Sequence, residues 1–136
     1  FYQIWIYPDE SGLKPTYDQK KFEPVVWENK LCPVASGQGI SDTVTFHTDA
    51  TIYSCSLNAG RSVTHKDTFG RRIFVYLTNG QISANEMALK SKDQARIDIE
   101  EPLTLYAEQD SELILIDVPS CRGWGYSADT LKGHKK

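Results

Sequence analysis

The side chains able to ligate a metal, relay a proton or attack a carbonyl are few in this chain, and widely spaced. His47, His65 and His134 occur singly. His47 ends one strand-like run and His65 lies within another. Neither has a histidine or cysteine at helix or strand spacing, so surface or rim positions are expected for both. Cys32, Cys55 and Cys121 include no Cys-x-x-Cys pair. That favours a reducing, cytoplasmic compartment over a disulfide framework or a zinc knuckle. Cys55, inside the alternating run Ile52-Tyr53-Ser54-Cys55-Ser56-Leu57, is expected to pack as a small hydrophobe. Ser54, Ser56 and Ser62 lack the Gly-x-Ser-x-Gly context of a nucleophile. Gly37-Gln38-Gly39 lacks the third glycine and following helix of a phosphate cradle. Asp98, Glu100, Glu101, Glu108, Asp110 and Glu112 cluster in turns. A solvated rim suits them better than acid–base chemistry, which needs burial to shift a pKa.

Strands are the elements that must position whatever chemistry remains. Residues 1–7, 44–47, 52–57, 63–65, 73–77, 81–83, 87–89, 95–99, 103–107 and 113–118 read as strands, with a short one at 25–27. Pro8, Gly12, Pro15 and Pro24 make residues 8–24 a loop, and residues 36–39 a flexible turn. Many short strands with polar turns predict an all-β sandwich or barrel. The 136 residues suffice for one domain. A net charge of −3 and a pI near 5.6 argue against nucleic-acid binding. Lys132, His134, Lys135 and Lys136 read as a solvated terminus. No apolar run approaches the ~18 residues of a membrane span. Asp9 and Glu10, directly after FYQIWIYP, break any signal-peptide pattern.

Gly60 and Gly80 punctuate GRSVTHKDTFGRRIFVYLTNG as corner glycines. Their spacing resembles the first signature of the cupin family: glycine, five residues, His-x-His, four residues, Glu, six residues, glycine. The resemblance implies an all-β, RmlC-like jelly-roll barrel over residues 1–119, followed by a tail, 120–136. It places the metal-ligand positions on Lys66, Thr68 and Ile73. A second signature framed on Lys92-Asp93 puts the last ligand position at Leu103. None of the four side chains suits a metal, so no cofactor is expected. Slipping the frame by one residue gives His65, Asp67 and Arg72, a weak set with every side chain reversed. The motif's parity turns Ile73, Val75, Leu77, Leu103, Leu105 and Ala107 inward, and Phe74, Tyr76, Thr104 and Tyr106 outward. Lys66 and Thr68 would then stand at the mouth of an aliphatic interior. Lys66, Thr68, Ile73, Val75, Leu103 and Leu105 form a candidate pocket for a small anionic or aromatic ligand. Side chains filling the barrel are the competing expectation.

A second resemblance is more specific. Phe1, Gln3-Ile4-Trp5-Ile6, Pro8, Gly12, Pro15, Tyr17, Gln19 and Phe22 resemble the segment that opens the C-terminal half of pirin-like proteins. Asp49, Tyr53, Leu57, Gly60 and the run Leu113 to Pro119 continue it. Asn85-Glu86 and Lys92-Asp93 depart from the family's Asn-Gly and Gly-Asp turns. Pirin-like proteins are two-domain cupins, among them quercetinases, with metal and activity in the N-terminal half. The resemblance therefore implies a non-catalytic, metal-free module that binds a small molecule or a protein partner. The alternative is a subunit or fragment of a quercetinase-like dioxygenase whose metal-bearing cupin lies on another chain. A free first strand, with Phe1, Ile4, Trp5, Ile6 and Tyr7, predicts a homodimer, helped by the outward Phe74, Tyr76 and Tyr106.

Overall fold

A computed structural model describes residues 1–66, 68–98 and 101–120. Ten strands follow a 3-10 turn at Pro24–Val26: β1 Cys32–Ser36, β2 Val44–Thr45, β3 Thr51–Leu57, β4 Ser62–His65, β5 Arg71–Asn79, β6 Gln81–Ala84, β7 Met87–Lys90, β8 Gln94–Ile97, β9 Leu103–Ala107 and β10 Ser111–Pro119. They form two sheets, ordered β2-β1-β3-β10-β5-β8 and β4-β9-β6-β7. The all-β barrel inferred from the strand pattern is what forms.

Period-two patterning explains which faces close on each other. In β5, Ile73, Val75 and Leu77 are wholly buried while Phe74 and Tyr76 are not; in β10, Leu113 and Leu115 are buried in the same rhythm. From the second sheet come Ile82, Leu89, Leu103, Leu105 and Ala107. The register aligns these residues in rows across the larger sheet. Cys55, Leu113 and Leu77 make one row, and Tyr53, Leu115, Val75 and Ala95 the next. Two apolar inner faces pressed together are the main stabilising term.

Four local readings change. Residues 1–7 are extended but belong to no strand, because aromatic and β-branched content favours a half-buried surface and does not by itself supply a partner. Residues 25–27 are helical, in part, with Pro24 starting the 3-10 turn. Only Val44 and Thr45 of the 44–47 run are strand, paired parallel to β1. β1 itself hides behind Pro33, accommodated where the β1–β3 register shifts between Pro33 and Ala35.

The corner positions behave as their residues suggest. Gly60 and Gly80 have φ of 79° and 100°. Asn85 and Lys92, at the two departures from the pirin-like turns, also have positive φ, 49° and 75°. Asn85 offsets that strain by accepting the Thr104 N–H on its side chain and donating its own N–H to the Thr104 carbonyl, both at 2.8 Å. The tail expected beyond Ser120 lies outside the described residues.

Candidate functional site

At one end of the barrel the inward row turns polar. Ser36, Thr51 and Asp117 stand opposite one another on β1, β3 and β10, and Ile73 and Ile97 continue the row. Arg71, two residues before Ile73, shares its face and overhangs Asp117. His65 ends β4 opposite Leu103, and so faces the group from the other sheet.

Arg71 Nε donates to Asp117 Oδ1 at 2.5 Å, Nη1 to Asp49 Oδ2 at 2.8 Å, and Nη2 to the Asp49 carbonyl at 3.1 Å. The other Asp117 oxygen lies 2.7 Å from His65 Nε2. Gln38 Nε2 donates to Asp49 Oδ1 at 2.8 Å, and Gln38 Oε1 accepts from Thr51 Oγ1 at 2.5 Å. Thr51 Oγ1 is 2.8 Å from Ser36 Oγ. One continuous network thus joins both sheets. Its centre is dry: the Asp117 and His65 side chains are 5% and 8% exposed, whereas Asp49 is 54% exposed. Burial works against the Arg71 charge, but hydrogen bonds to Asp117 and Asp49 outweigh it and hold its pKa above the ordinary value. Arg71 is therefore a fixed internal cation.

A cavity of about 370 Å³ adjoins the network, lined by Gln38, Ile40, Tyr53, His65, Phe69, Arg71 and Asp117. The Tyr53 ring meets the His65 ring edge-on, 5.4 Å between centroids.

The residues singled out from the sequence assemble differently. Ile73, Val75, Leu103 and Leu105 are inward, as expected, and belong to the packed core. Thr68 is buried, but its hydroxyl is committed to the Glu101 carbonyl at 2.8 Å. Lys66 is exposed, so it does not stand beside those aliphatic residues in a common pocket. The parity of β4 explains the miss: pairing of Val63 with Leu105 and His65 with Leu103 puts the odd-numbered residues inside. His65 is accordingly interior, not rim, and its carboxylate partner lies far away in sequence. His47 is exposed, as expected. Phase alone could have revealed the partner, since Asp117 continues the inward rhythm Leu113, Leu115.

The carboxylates Asp98, Glu101, Glu108, Asp110 and Glu112 are all exposed, although Glu112 lies in β10 and not in a turn, and Asp98 pairs with Arg72 through two 2.8 Å bonds. Asp67, Glu100, Cys121 and His134 lie outside the described residues. Cys55 packs in the core, where burial pushes its thiol from an ordinary 9.0 up to about 11. The unfolded chain thus loses that proton at lower pH than the folded one, so this contribution to stability is intact below pH 9.0 and disappears as pH rises to about 11. Peptide mapping after maleimide treatment of the native protein at neutral pH should find Cys55 unmodified and Cys32, which is half-buried, modified.

The donor set at the barrel end does not fit a metal ion. His65 and Asp117 are bonded to each other, and a guanidinium occupies the space a divalent cation would need. Among the described residues no three histidine, cysteine or acidic side chains are grouped for ligation.

Two facing β-sheets closed on an apolar interior make a double-sheet β-barrel, an architecture that cupins share with other jelly rolls. The chain belongs to the quercetinase C-terminal cupin domain family, whose model matches residues 33–118. Quercetin 2,3-dioxygenase of Escherichia coli K12 is 29% identical over 118 residues, covering 87% of this chain and 50% of the relative. A pirin-like protein of Caulobacter vibrioides is 31% identical over 117 residues, covering 85% and 50%. The crystal structure of YhhW from Escherichia coli superposes with a TM-score of 0.78 at 27% identity, covering 85% of this chain and 48% of that one. YhhW in complex with nickel(II) superposes at 0.74 and 25% identity, covering 82% and 47%. The chain spans about half the length of the curated relatives it matches.

Proposed function

We propose that this cupin is a non-catalytic, metal-independent module that binds a small molecule or a protein partner. The observation behind the reading is the Arg71–Asp117–His65 network, a fixed cation and its counterions in the polar end of the barrel. Lys66, Thr68, Ile73 and Leu103 at the cupin ligand positions support it. A second reading rests on the half-length match to proteins named quercetin 2,3-dioxygenase: the chain would be one half of such an enzyme, with the metal-bearing cupin elsewhere. Free Cys32 and Cys55 suit a reducing, cytoplasmic setting. Among the described residues no helix is long and apolar enough to cross a membrane.

The outer face of the larger sheet is the proposed protein contact, in a homodimer. The arm lies partly on its own barrel: Tyr2 meets Tyr76 edge-on at 5.4 Å, and Tyr2 and Ile4 border a cleft with Phe74, Tyr76, Ile114 and Ile116. Phe74 and Tyr76 are thereby half-covered, while Tyr106 on β9 is exposed. Phe1, Trp5 and Tyr7 remain more than four-fifths exposed, Ile6 less so. Strand exchange through residues 1–7 gives way to packing of exposed aromatics against a partner.

One preparation of untagged protein tests these proposals. The expected result is no stoichiometric iron, nickel, zinc or manganese, no flavonol consumption, and a dimer by light scattering. One equivalent of metal overturns the module reading, and a monomer at tens of micromolar overturns the dimer.

A further inference from the structure

We infer that the cavity beside Arg71 binds a neutral, polyhydroxylated single ring, of the monosaccharide or cyclitol class. The inference deepens the binding-module reading and rests on it.

His65 carries the argument furthest. It is 7% exposed and lines the cavity. Its Nε2 is committed to the Asp117 carboxylate, and Nδ1 has no partner among the described residues. Because a carboxylate only accepts, Nε2 carries a proton, and in the neutral ring Nδ1 is then an acceptor. A ligand hydroxyl is the natural donor to it. Arg71 uses three of its N–H groups on Asp117 and Asp49, and a guanidinium has five. Two donors therefore remain on a side chain that lines the same cavity. All these groups are already fixed by one another, so ordering them on binding costs little.

Charge then selects the ligand. One guanidinium faces two carboxylates, a surplus of negative charge on these three side chains that disfavours an anion. The same guanidinium disfavours a metal cation. An uncharged molecule that both donates and accepts hydrogen bonds remains. The rest of the lining is Gln38, whose amide is bonded to Asp49 and Thr51, and the apolar or aromatic Ile40, Tyr53 and Phe69, the last 82% exposed. A sugar-like ring presents hydroxyls at its edge and C–H groups on its face, matching both kinds of wall. At about 370 Å³ the cavity is near the small end of ligand pockets, roughly 300–1,000 Å³, which suits one ring better than several.

The test is an NMR titration of the whole chain with D-glucose, D-galactose and myo-inositol, with benzoate and phenol as planar controls. The expected result is saturable shifts at His65, Phe69 and Tyr53 with at least one polyol, in the millimolar range or tighter. Phe69→Ala should weaken that polyol about tenfold without moving Tm, because Phe69 is exposed. Met87→Ala, on β7 of the other sheet and exposed, should leave it unchanged. Shifts from benzoate or phenol in place of every polyol, or no shifts from any polyol, overturn the inference. Stoichiometric metal with polyol binding intact sinks only the module reading; metal-free protein indifferent to every polyol sinks only this one.

Discussion

Replacing Asp117 with alanine is expected to destabilise the fold by about 3–5 kcal/mol, the range for removing one partner of a buried ion pair. Its side chain is 5% exposed and satisfies Arg71 with one oxygen and His65 with the other. Alanine leaves a desolvated guanidinium leaning on Asp49 alone and an imidazole N–H with no acceptor. For a domain of this size the change corresponds to a fall in Tm of roughly 10–20 °C. Asp49→Ala supplies the contrast. Asp49 binds the same arginine but is 54% exposed, so its loss should cost no more than about 1 kcal/mol. Combining Asp117→Leu with Arg71→Met, which removes charge on both sides, should recover much of the loss. Denaturant midpoints decide the matter. An Asp117→Ala protein within about 1 kcal/mol of wild type contradicts the role assigned to the network.

Gly37→Ala is expected to be the other severe substitution. A Cβ at Gly37 would lie 1.7 Å from the Thr48 carbonyl oxygen, 2.7 Å from its carbon and 2.9 Å from the Phe46 oxygen. Those are backbone atoms, so no rotamer change relieves the contact. Two strands' worth of connection must move, and with it the Gly37 N–H bond to the Ala50 carbonyl at 2.9 Å. A loss of about 3 kcal/mol or more follows, the upper end of overpacking. Gly39→Ala, only two residues away, should cost about 1 kcal/mol: its φ is +75° but a Cβ there meets nothing within 4 Å. Equal losses at the two positions would show that the close approach at Gly37 is not what matters. A Gly37 variant that does fold should also have Gln38 displaced from Thr51 and Asp49, visible in its side-chain amide signals.

The contrast between these two glycines marks where sequence reasoning stops. Both sit in what reads as one flexible turn; Thr48 packs over Gly37, and the positive φ falls on Gly39. The strands of the core were legible because β5 and β10 alternate cleanly, and a two-residue period fixes a face once its burial is known. His65 was misplaced for a related reason. Its phase was inherited from the spacing after Gly60, whereas pairing with β9 sets the true phase. Its partner Asp117 lies 52 residues on, and Arg71 46 residues before that same aspartate. No local spacing rule spans such separations. The arm at residues 1–7 failed in the opposite direction: composition was right for a strand, and it joins neither sheet.

The position of β10 bears on how the molecule is made. In the larger sheet β10 lies between β3 and β5, and it is the last of the ten described strands to be synthesised. Until residue 119 has left the ribosome, β3 and β5 each expose an unpaired edge and a half-formed apolar face. While the nine earlier described strands are made, the nascent chain therefore carries these aggregation-prone surfaces, then closes them in one step. Asp117 arrives in that same step, so the internal ion network forms only when the sheet is complete. A ribosome stalled just short of this strand should hold a chain that chaperones bind and proteases cut, and one stalled well past it a chain that neither recognises.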